Sequence, residues 1–177
     1  MSSIFQKLNL KTQSEIVVVN APASFEAEIA MLEGVAVHRN LDAVERVAFA
    51  LAFVLTQAEV DDGRMAAGGG DIAFVLTQAE VDVLARAIAA KAEGDAVVWF
   101  AYPKASSKRY KCEFNRDTGW AVLGELGFEG VRQVAIDEDW SALRFRRAEY
   151  IRTMRRDPSR AMSAQGRRKV DEEAGKQ

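Results

Sequence analysis

Apolar and polar residues are arranged along the chain in blocks that predict strands followed by helices. Two runs rich in β-branched and aromatic residues, 15–21 (EIVVVNA) and 96–102 (AVVWFAY), predict strands that are buried on both faces. A proline, Pro22 or Pro103, follows each run. Apolar residues at helical spacing follow the strands, and this alternation predicts parallel strands joined by helical crossovers.

The end of this pattern is different. Residues 131–136 and 141–147 flank a short acidic turn, which predicts an antiparallel hairpin. We therefore predict one α/β domain over residues 1–147, a three-layer Rossmann-like sandwich whose mostly parallel sheet ends in an antiparallel hairpin. Residues 148–177 are predicted to form a basic C-terminal tail that is partly helical or disordered.

An identical repeat interrupts the domain. The sequence AFVLTQAEVD occupies residues 52–61 and again residues 73–82. Thr77 and Glu80 of the second copy have the spacing of a capping box, and only this copy continues with helical periodicity. The pattern predicts that residues 53–73 are a duplicated insert in an otherwise complete strand–helix unit.

The insert has two further consequences. Its glycine run, Gly68–Gly70, lacks the Lys-Ser/Thr pair of a phosphate loop and predicts a flexible linker. We expect one copy of the repeat to fill the central strand while the other adds an edge strand or loops out. Because identical strands compete for one position in the sheet, exchange between chains could form a homo-oligomer.

Composition bears mainly on location. Hydrophobic residues make up 49% and charged residues 28% of the chain, as in ordinary globular proteins. The longest apolar run, 47–55, is too short to cross a bilayer, and the first residues do not have the pattern of a secretory signal. With Cys112 as the single cysteine, these features predict a cytoplasmic protein that does not contact membranes.

The net charge of −2 is unevenly distributed. Residues 1–98 have a net charge of −7 and residues 99–177 of +5, and residues 144–169 contain 10 basic and 2 acidic residues. This basic segment could attract the phosphates of nucleic acid, which makes a nucleic-acid or ribosome-associated protein one candidate function. A solvated tail without a partner is the other interpretation.

Three segments resemble an uncharacterised bacterial family known only as a domain of unknown function: EIVVVNAP, VVWFAYPKASSKRYKCEFNRDTGW and GVRQVAIDEDWSALRFRR. The order of elements also resembles the class I methyltransferase-like fold, which ends in an antiparallel hairpin. These resemblances cover most of residues 1–160 apart from the insert. They imply a fold and no established reaction.

The methyltransferase resemblance implies a site for S-adenosylmethionine, with a glycine-rich turn after the first strand and an acidic residue at the end of the second. Here the turn is residues 20–24 (NAPAS), without glycine and with Pro22 removing a backbone donor. The second strand ends at His38-Arg39, and Asp42 comes late. We therefore predict no cofactor and favour a protein that is not an enzyme, with a divergent S-adenosylmethionine-dependent methyltransferase as an alternative.

Ligands of open α/β sheets bind at the carboxyl ends of the strands, which here lead into loops 20–24, 38–42 and 102–118. The third loop is richest in cations and hydroxyls, which suit a phosphate-bearing small molecule or another oxyanion. The candidate ligand-binding residues are Tyr102, Lys104, Ser106, Ser107, Lys108, Arg109, Lys111 and Arg116. The leading hypothesis is a non-catalytic module that binds an anionic ligand or partner through this loop. The other interpretation is a loop that contacts only water.

Catalytic and metal-binding patterns are weak. His38 is the only histidine, and it has no second histidine or cysteine at metal-ligand spacing, so a structural role is predicted. Cys112 follows Lys111 but has no resolving cysteine, which predicts a plain thiol. Asp137, Glu138 and Asp139 could hold Mg²⁺, although a turn prefers the same residues. The sequence therefore predicts no catalytic residue and no metal site.

Overall fold

A computed structural model describes residues 3–55, 76–110, 115–154 and 158–175. The helices are α1 (Ser3–Lys7), α2 (Glu26–Ala30), α3 (Gln78–Lys91), α4 (Ala121–Glu125) and α5 (Ala164–Ala174), and the strands are β1 (Glu15–Val19), β2 (Ala36–His38), β3 (Val47–Phe53), β4 (Ala92–Pro103), β5 (Phe128–Ala135) and β6 (Trp140–Arg147). Short 3₁₀ turns lie at Ala23–Phe25, Leu41–Ala43, Ala148–Tyr150 and Pro158–Arg160. None of the helices in these ranges is long and apolar enough to span a bilayer.

The strands form one six-stranded sheet in the order β2-β1-β3-β4-β6-β5. Strands β1 to β4 pair in parallel, whereas β6 inserts between β4 and β5 and runs antiparallel to both. The predicted mostly parallel sheet that ends in an antiparallel hairpin is therefore confirmed.

Each face of the sheet carries its own apolar core, which confirms the three-layer arrangement. On one face, which we call the α3 face, Val81, Ala85 and Ile88 of α3 pack with residues of α4 on Phe100 and Phe145. The other face, which we call the α1 face, carries the N-terminal segment and α2. Its core includes the side chains Phe5, Leu8, Phe25, Ile29, Trp99 and Trp140. Since both faces are covered, the parallel strands read as continuous apolar runs.

The first copy of the repeat supplies the end of β3. Phe53 packs against Phe25 and Trp140 with ring centroids 5.0 and 5.2 Å apart, and the Val54 N–H donates to Ala101 O at 2.8 Å. Residues 56–75, with the glycine run and most of the insert, lie outside the described residues. The prediction that the other copy adds an edge strand or loops out falls partly on these residues and stays a prediction.

The second copy begins α3, as its capping-box spacing predicts. The Thr77 side chain accepts from the Glu80 N–H, and the Glu80 carboxylate accepts from the Thr77 N–H at 2.7 Å. These hydrogen bonds hold the pKa of the Glu80 carboxyl below its usual value, with the bond to the Thr77 backbone as the main cause.

Two helices are shorter than their apolar spacing suggests. We expect helices from Ser24 to Gly34 and from Asp117 to Gly127, but α2 and α4 are single turns of five residues. Asn115 Oδ1 accepts from the Asp117 N–H, which places Asp117 in a turn. Gly119 then has a φ of +93°, a left-handed conformation that ends any helix at this point.

The C-terminal segment is seated on the domain. Ile151, Met154, Ala161 and Val170 form a small apolar cluster that packs against Val131 of β5. The helical part of the predicted basic tail is thus α5, preceded by the 3₁₀ turn at Pro158–Arg160. The boundary at residue 147 stays a prediction.

A buried carboxylate fixes the C-terminal segment in place. Glu129 is fully buried, and its oxygens accept from the Met162 N–H, the Ser163 N–H and the Ser163 hydroxyl at 2.8–3.0 Å. The Ser163 Oγ in turn caps α5 by accepting from the Gly166 N–H at 2.9 Å. Because a buried charge needs several donors, this contact defines the position of α5 closely.

Candidate functional site

At the carboxyl end of β2 two side chains, Arg39 and His38, pair with carboxylates, His38 with Glu15 at the start of β1. Arg39 donates to both oxygens of Glu26, at 2.9 and 2.6 Å, and so joins the end of β2 to the start of α2. The single histidine, His38, lies 2.7 Å from a carboxylate oxygen of Glu15. His38 therefore has a carboxylate partner on β1, and its structural role stays a prediction.

This edge does not fit the cofactor that the methyltransferase resemblance implies. The turn after β1 places Asn20 at a φ of +57° and Pro22 in an extended conformation, and a side chain stands on every residue where backbone would have to approach a ligand closely. Glu26 is the nearest acidic residue in sequence to the turn, and both of its oxygens bind Arg39. We derive no chemical step through S-adenosylmethionine.

Three of the predicted binding residues in loop 102–118 hold the loop itself in place. Tyr102 is buried, and its hydroxyl accepts from Gln133 Nε2 at 2.7 Å. Lys104 donates from its backbone N–H to Asp139 O and from Nζ to the Asp137 carbonyl. Ser107 donates to the Asp139 carboxylate at 2.7 Å. These contacts attach the loop to the β5–β6 turn.

The remaining predicted residues divide into two groups. Ser106, Lys108 and Arg109 are exposed on the loop, whereas Arg116 lines a cavity whose opposite wall is the C-terminal segment. Lys111 and Cys112 lie outside the described residues. The structure therefore separates Arg116 from the group that contacts the hairpin turn.

In the acidic hairpin turn, the first carboxylate accepts hydrogen bonds from the backbone of the turn itself. Asp137 Oδ1 accepts from the Asp139 and Trp140 N–H groups, both at 2.8 Å. These bonds are those of an Asx turn. Across the described parts of the chain there is no group of three or more His, Cys, Asp or Glu side chains that could hold a metal ion.

The cavity behind Arg116 has a volume of about 1000 Å³. Loop 116–121 and α4 form one wall, β5 and β6 contribute Val131 and Leu143, and residues 159–167 form the opposite wall. Three arginines from two distant parts of the sequence line it: Arg116, Arg160 and Arg167. Its apolar lining includes Trp120, Val131, Leu143 and Met162.

The charges in this cavity are unevenly satisfied. Arg116 and Arg160 form no ion pair or hydrogen bond with any described residue, and Arg167 makes only long contacts of 3.4–3.5 Å with backbone carbonyls. Of the two acidic residues in the lining, Glu125 is 3.2 Å from Arg86. The guanidinium groups are therefore available for an anion, and the apolar residues for a hydrophobic part of the same ligand.

Sequence reasoning found Arg116 but missed Arg160 and Arg167 as members of the same site. The basic composition of residues 144–169 was the available signal, and it did not indicate which cations share a surface. Their placement depends on the contact between Glu129 and Ser163, which joins residues 34 positions apart.

No protein-family model and no curated protein matches the sequence. Among solved structures, the chain is similar to the N-methyltransferase NodS from Bradyrhizobium japonicum WM9, with a TM-score of 0.42 and 9% identity over 80% of this chain and 91% of that one. It is also similar to magnesium protoporphyrin IX methyltransferase (ChlM) from Synechocystis PCC 6803 with bound SAH, with a TM-score of 0.42 and 9% identity over 76% and 74% of the two chains.

Proposed function

We propose that this protein is a non-catalytic module that binds an amphipathic anion in the cavity between α4 and the C-terminal segment. The observation that carries the proposal is that three arginines, Arg116, Arg160 and Arg167, line one cavity together with two acidic residues, and that none of the three forms an ion pair with a described residue. Unpaired arginines repel one another, so an anion that binds between them lowers the energy of the site.

The size and lining of the cavity define the ligand class. A volume of about 1000 Å³ lies at the upper end of the range for small-molecule sites, roughly 300–1000 Å³. Trp120 and Leu143 present apolar surface beside the arginines. A phosphate monoester or carboxylate attached to an aromatic or aliphatic group matches this combination better than a free inorganic ion does.

Calorimetric titration with phenyl phosphate, and with phenol as the uncharged control, tests the proposal. We expect the wild type to bind phenyl phosphate with a Kd below about 1 mM and to bind phenol at least tenfold more weakly, because each charge-assisted hydrogen bond contributes about 1.5–3 kcal/mol. Arg116→Gln and Arg160→Gln should each weaken binding by about tenfold.

Arg46→Gln is the matched control, since Arg46 is exposed and lies 3.5 Å from Glu93 on another part of the surface. It should bind phenyl phosphate like the wild type. Absence of binding at millimolar concentration, or equal affinity in all four proteins, would refute the proposal.

A nucleic-acid or ribosome-associated function is the second candidate, because residues 144–169 are strongly basic. Several of these cations have roles within the fold, so we rank the nucleic-acid function below the anion-binding function. Arg147 donates to Ala89 O and Ala92 O, and Lys169 Nζ donates to Ala148 O and Ile151 O at 2.6 Å.

A divergent methyltransferase ranks third, because the residues after β1 and β2 do not fit the cofactor.

The exposed residues of loop 102–118, Ser106, Lys108 and Arg109, are a further proposed contact surface for the anionic ligand or partner.

A further inference from the structure

Three arginines stand side by side on the α1 face of the antiparallel part of the sheet. Arg132 of β5 is the direct cross-strand partner of Arg144 of β6, and Arg146 follows two residues later on the same side of β6. Alternation along β6 fixes this side, because Leu143 and Phe145 belong to the α3 face and Ala142 to the α1 face.

Such a cluster is unfavourable for the fold alone. Side chains directly opposite each other in an antiparallel pair have Cβ atoms about 4.5–5.5 Å apart, and like charges at this distance destabilise the sheet. Arg144 is also half-buried, and its Nε is buried without a hydrogen-bond partner. Burial, followed by the charge of Arg146, lowers the pKa of the Arg144 guanidinium, and Arg132 acts in the same direction.

One carboxylate, Asp95, compensates only part of this charge. Both of its oxygens accept from Arg146, at 2.6 and 2.5 Å. This bond raises the pKa of Arg146, and Asp95 also opposes the lowering at Arg144. The side chains of Arg132 and Arg144 make no ion pair or hydrogen bond with any described residue. Two adjacent guanidinium groups thus lack the counter-charge that their neighbour has.

We propose that Arg132 and Arg144 form a binding site for a phosphoryl oxyanion on the α1 face of the sheet. Two guanidinium groups at cross-strand spacing can each present a fork of N–H donors to one phosphoryl group. The site is distinct from the cavity lined by Arg160, because Leu143 of that cavity points to the α3 face. The phosphoryl group can belong to a free phosphoanhydride or to a nucleic-acid backbone.

Trp99 provides a reporter for this site. It is the cross-strand partner of Arg144 on β4, and its indole N–H donates to Leu8 O at 2.7 Å. In a ¹H–¹⁵N spectrum of the full chain at low salt, we expect pyrophosphate or a single-stranded oligonucleotide to shift the Trp99 indole signal in a saturable manner. The probe that produces the shift, pyrophosphate or oligonucleotide, identifies the source of the phosphoryl group.

Variants separate binding from folding. Arg144→Gln and Arg132→Gln should each weaken binding of the probe that shifts the Trp99 signal at least tenfold, while Arg46→Gln should bind that probe like the wild type. Arg132→Gln should also raise the melting temperature of the ligand-free protein by about 1–3 °C, because it removes a like-charge pair. Asp95→Asn should strengthen binding, because it frees Arg146.

The proposal is overturned if neither probe shifts the Trp99 signal at millimolar concentration. It is equally overturned if Arg160→Gln abolishes the shift while Arg144→Gln retains it, since the phosphoryl group would then occupy the cavity. A fall in the melting temperature of ligand-free Arg132→Gln would show that the arginine pair stabilises the fold, and would also contradict the proposal.

Discussion

At the β1–β2 end of the sheet Arg39 is held by both oxygens of Glu26, whereas beyond β5 Arg116 and Arg160 face a cavity without a partner among the described residues. The first arrangement closes the edge where a Rossmann-like sheet commonly binds its ligand. The second leaves positive charge beside apolar surface. Under the proposed function, the ligand binds on the side of the sheet where the C-terminal segment is seated and not at the usual edge.

The largest effect is expected from Glu129→Leu, which removes the acceptor that holds the C-terminal wall of the cavity. The Met162 and Ser163 N–H groups would lose their partner, so the free energy of unfolding should fall by about 3 kcal/mol. Urea denaturation measures the loss. Glu129→Gln is the control, since it retains one acceptor and should lose less. Equal stability of wild type and Glu129→Leu would show that this carboxylate does not seat the segment.

Gly166→Ala should have the next largest effect. A Cβ on Gly166 would overlap a carboxylate oxygen of Glu129 and lie 2.8 Å from its Cδ and 2.9 Å from Ser163 Oγ. Relieving this overlap breaks the bonds that Glu129 makes, at a cost of about 2 kcal/mol. Gly175→Ala, at the C-cap of the same helix, is the control, because the nearest atom to its Cβ would be 3.6 Å away. If both variants unfold at the same urea concentration, α5 does not pack on Glu129 as closely as the structure shows.

Deletion of residues 53–73, at the end of β3, should change the stability of the protein little. Because the repeat is identical, the product has the same sequence as a deletion of residues 56–76, so Phe53–Leu55 are in effect retained. Leu55 O already accepts from the Leu76 N–H at 2.8 Å, so the ends of the insert are close. The free energy of unfolding should change by less than about 1 kcal/mol.

Size-exclusion chromatography with light scattering on the same deletion variant tests strand exchange. If the two copies exchange between chains, a homo-oligomer of the full chain should become monomeric in the variant. Loss of cooperative unfolding in the deletion variant would instead show that the insert is part of the structure.

Arg39→Gln should have the smallest effect. Arg39 and Glu26 are both about half exposed, and such ion pairs contribute about 0–1 kcal/mol. We expect a small loss of stability and unchanged binding of phenyl phosphate, because the paired arginine at this edge has no part in the cavity. Weakened phenyl phosphate binding in this variant would remove the contrast between the two regions.

The parts of the molecule that the sequence predicts well are those set by local pattern. The buried strands around Val17 and Trp99, the capping box of Thr77 and the antiparallel hairpin all depend on neighbouring residues, and the structure contains them. The roles of Lys104 and Ser107 depend on a contact with Asp139, which lies 32 residues beyond Ser107. Composition alone could not distinguish these structural donors from free ones. It also could not show that Arg160 and Arg167 lie on the same surface as Arg116.

The side chains of the three tryptophans allow the most direct measurement of the central claim. Trp120 lines the cavity and its indole N–H donates to Asn115 O at 2.8 Å, whereas Trp99 lies in the core of the α1 face. During titration of the wild type with phenyl phosphate, the Trp120 indole signal should shift and saturate, independently of any shift of the Trp99 signal, which reports the site on the α1 face. An unmoved Trp120 signal, or an equal shift in an Arg116→Gln/Arg160→Gln double variant, would contradict anion binding in this cavity.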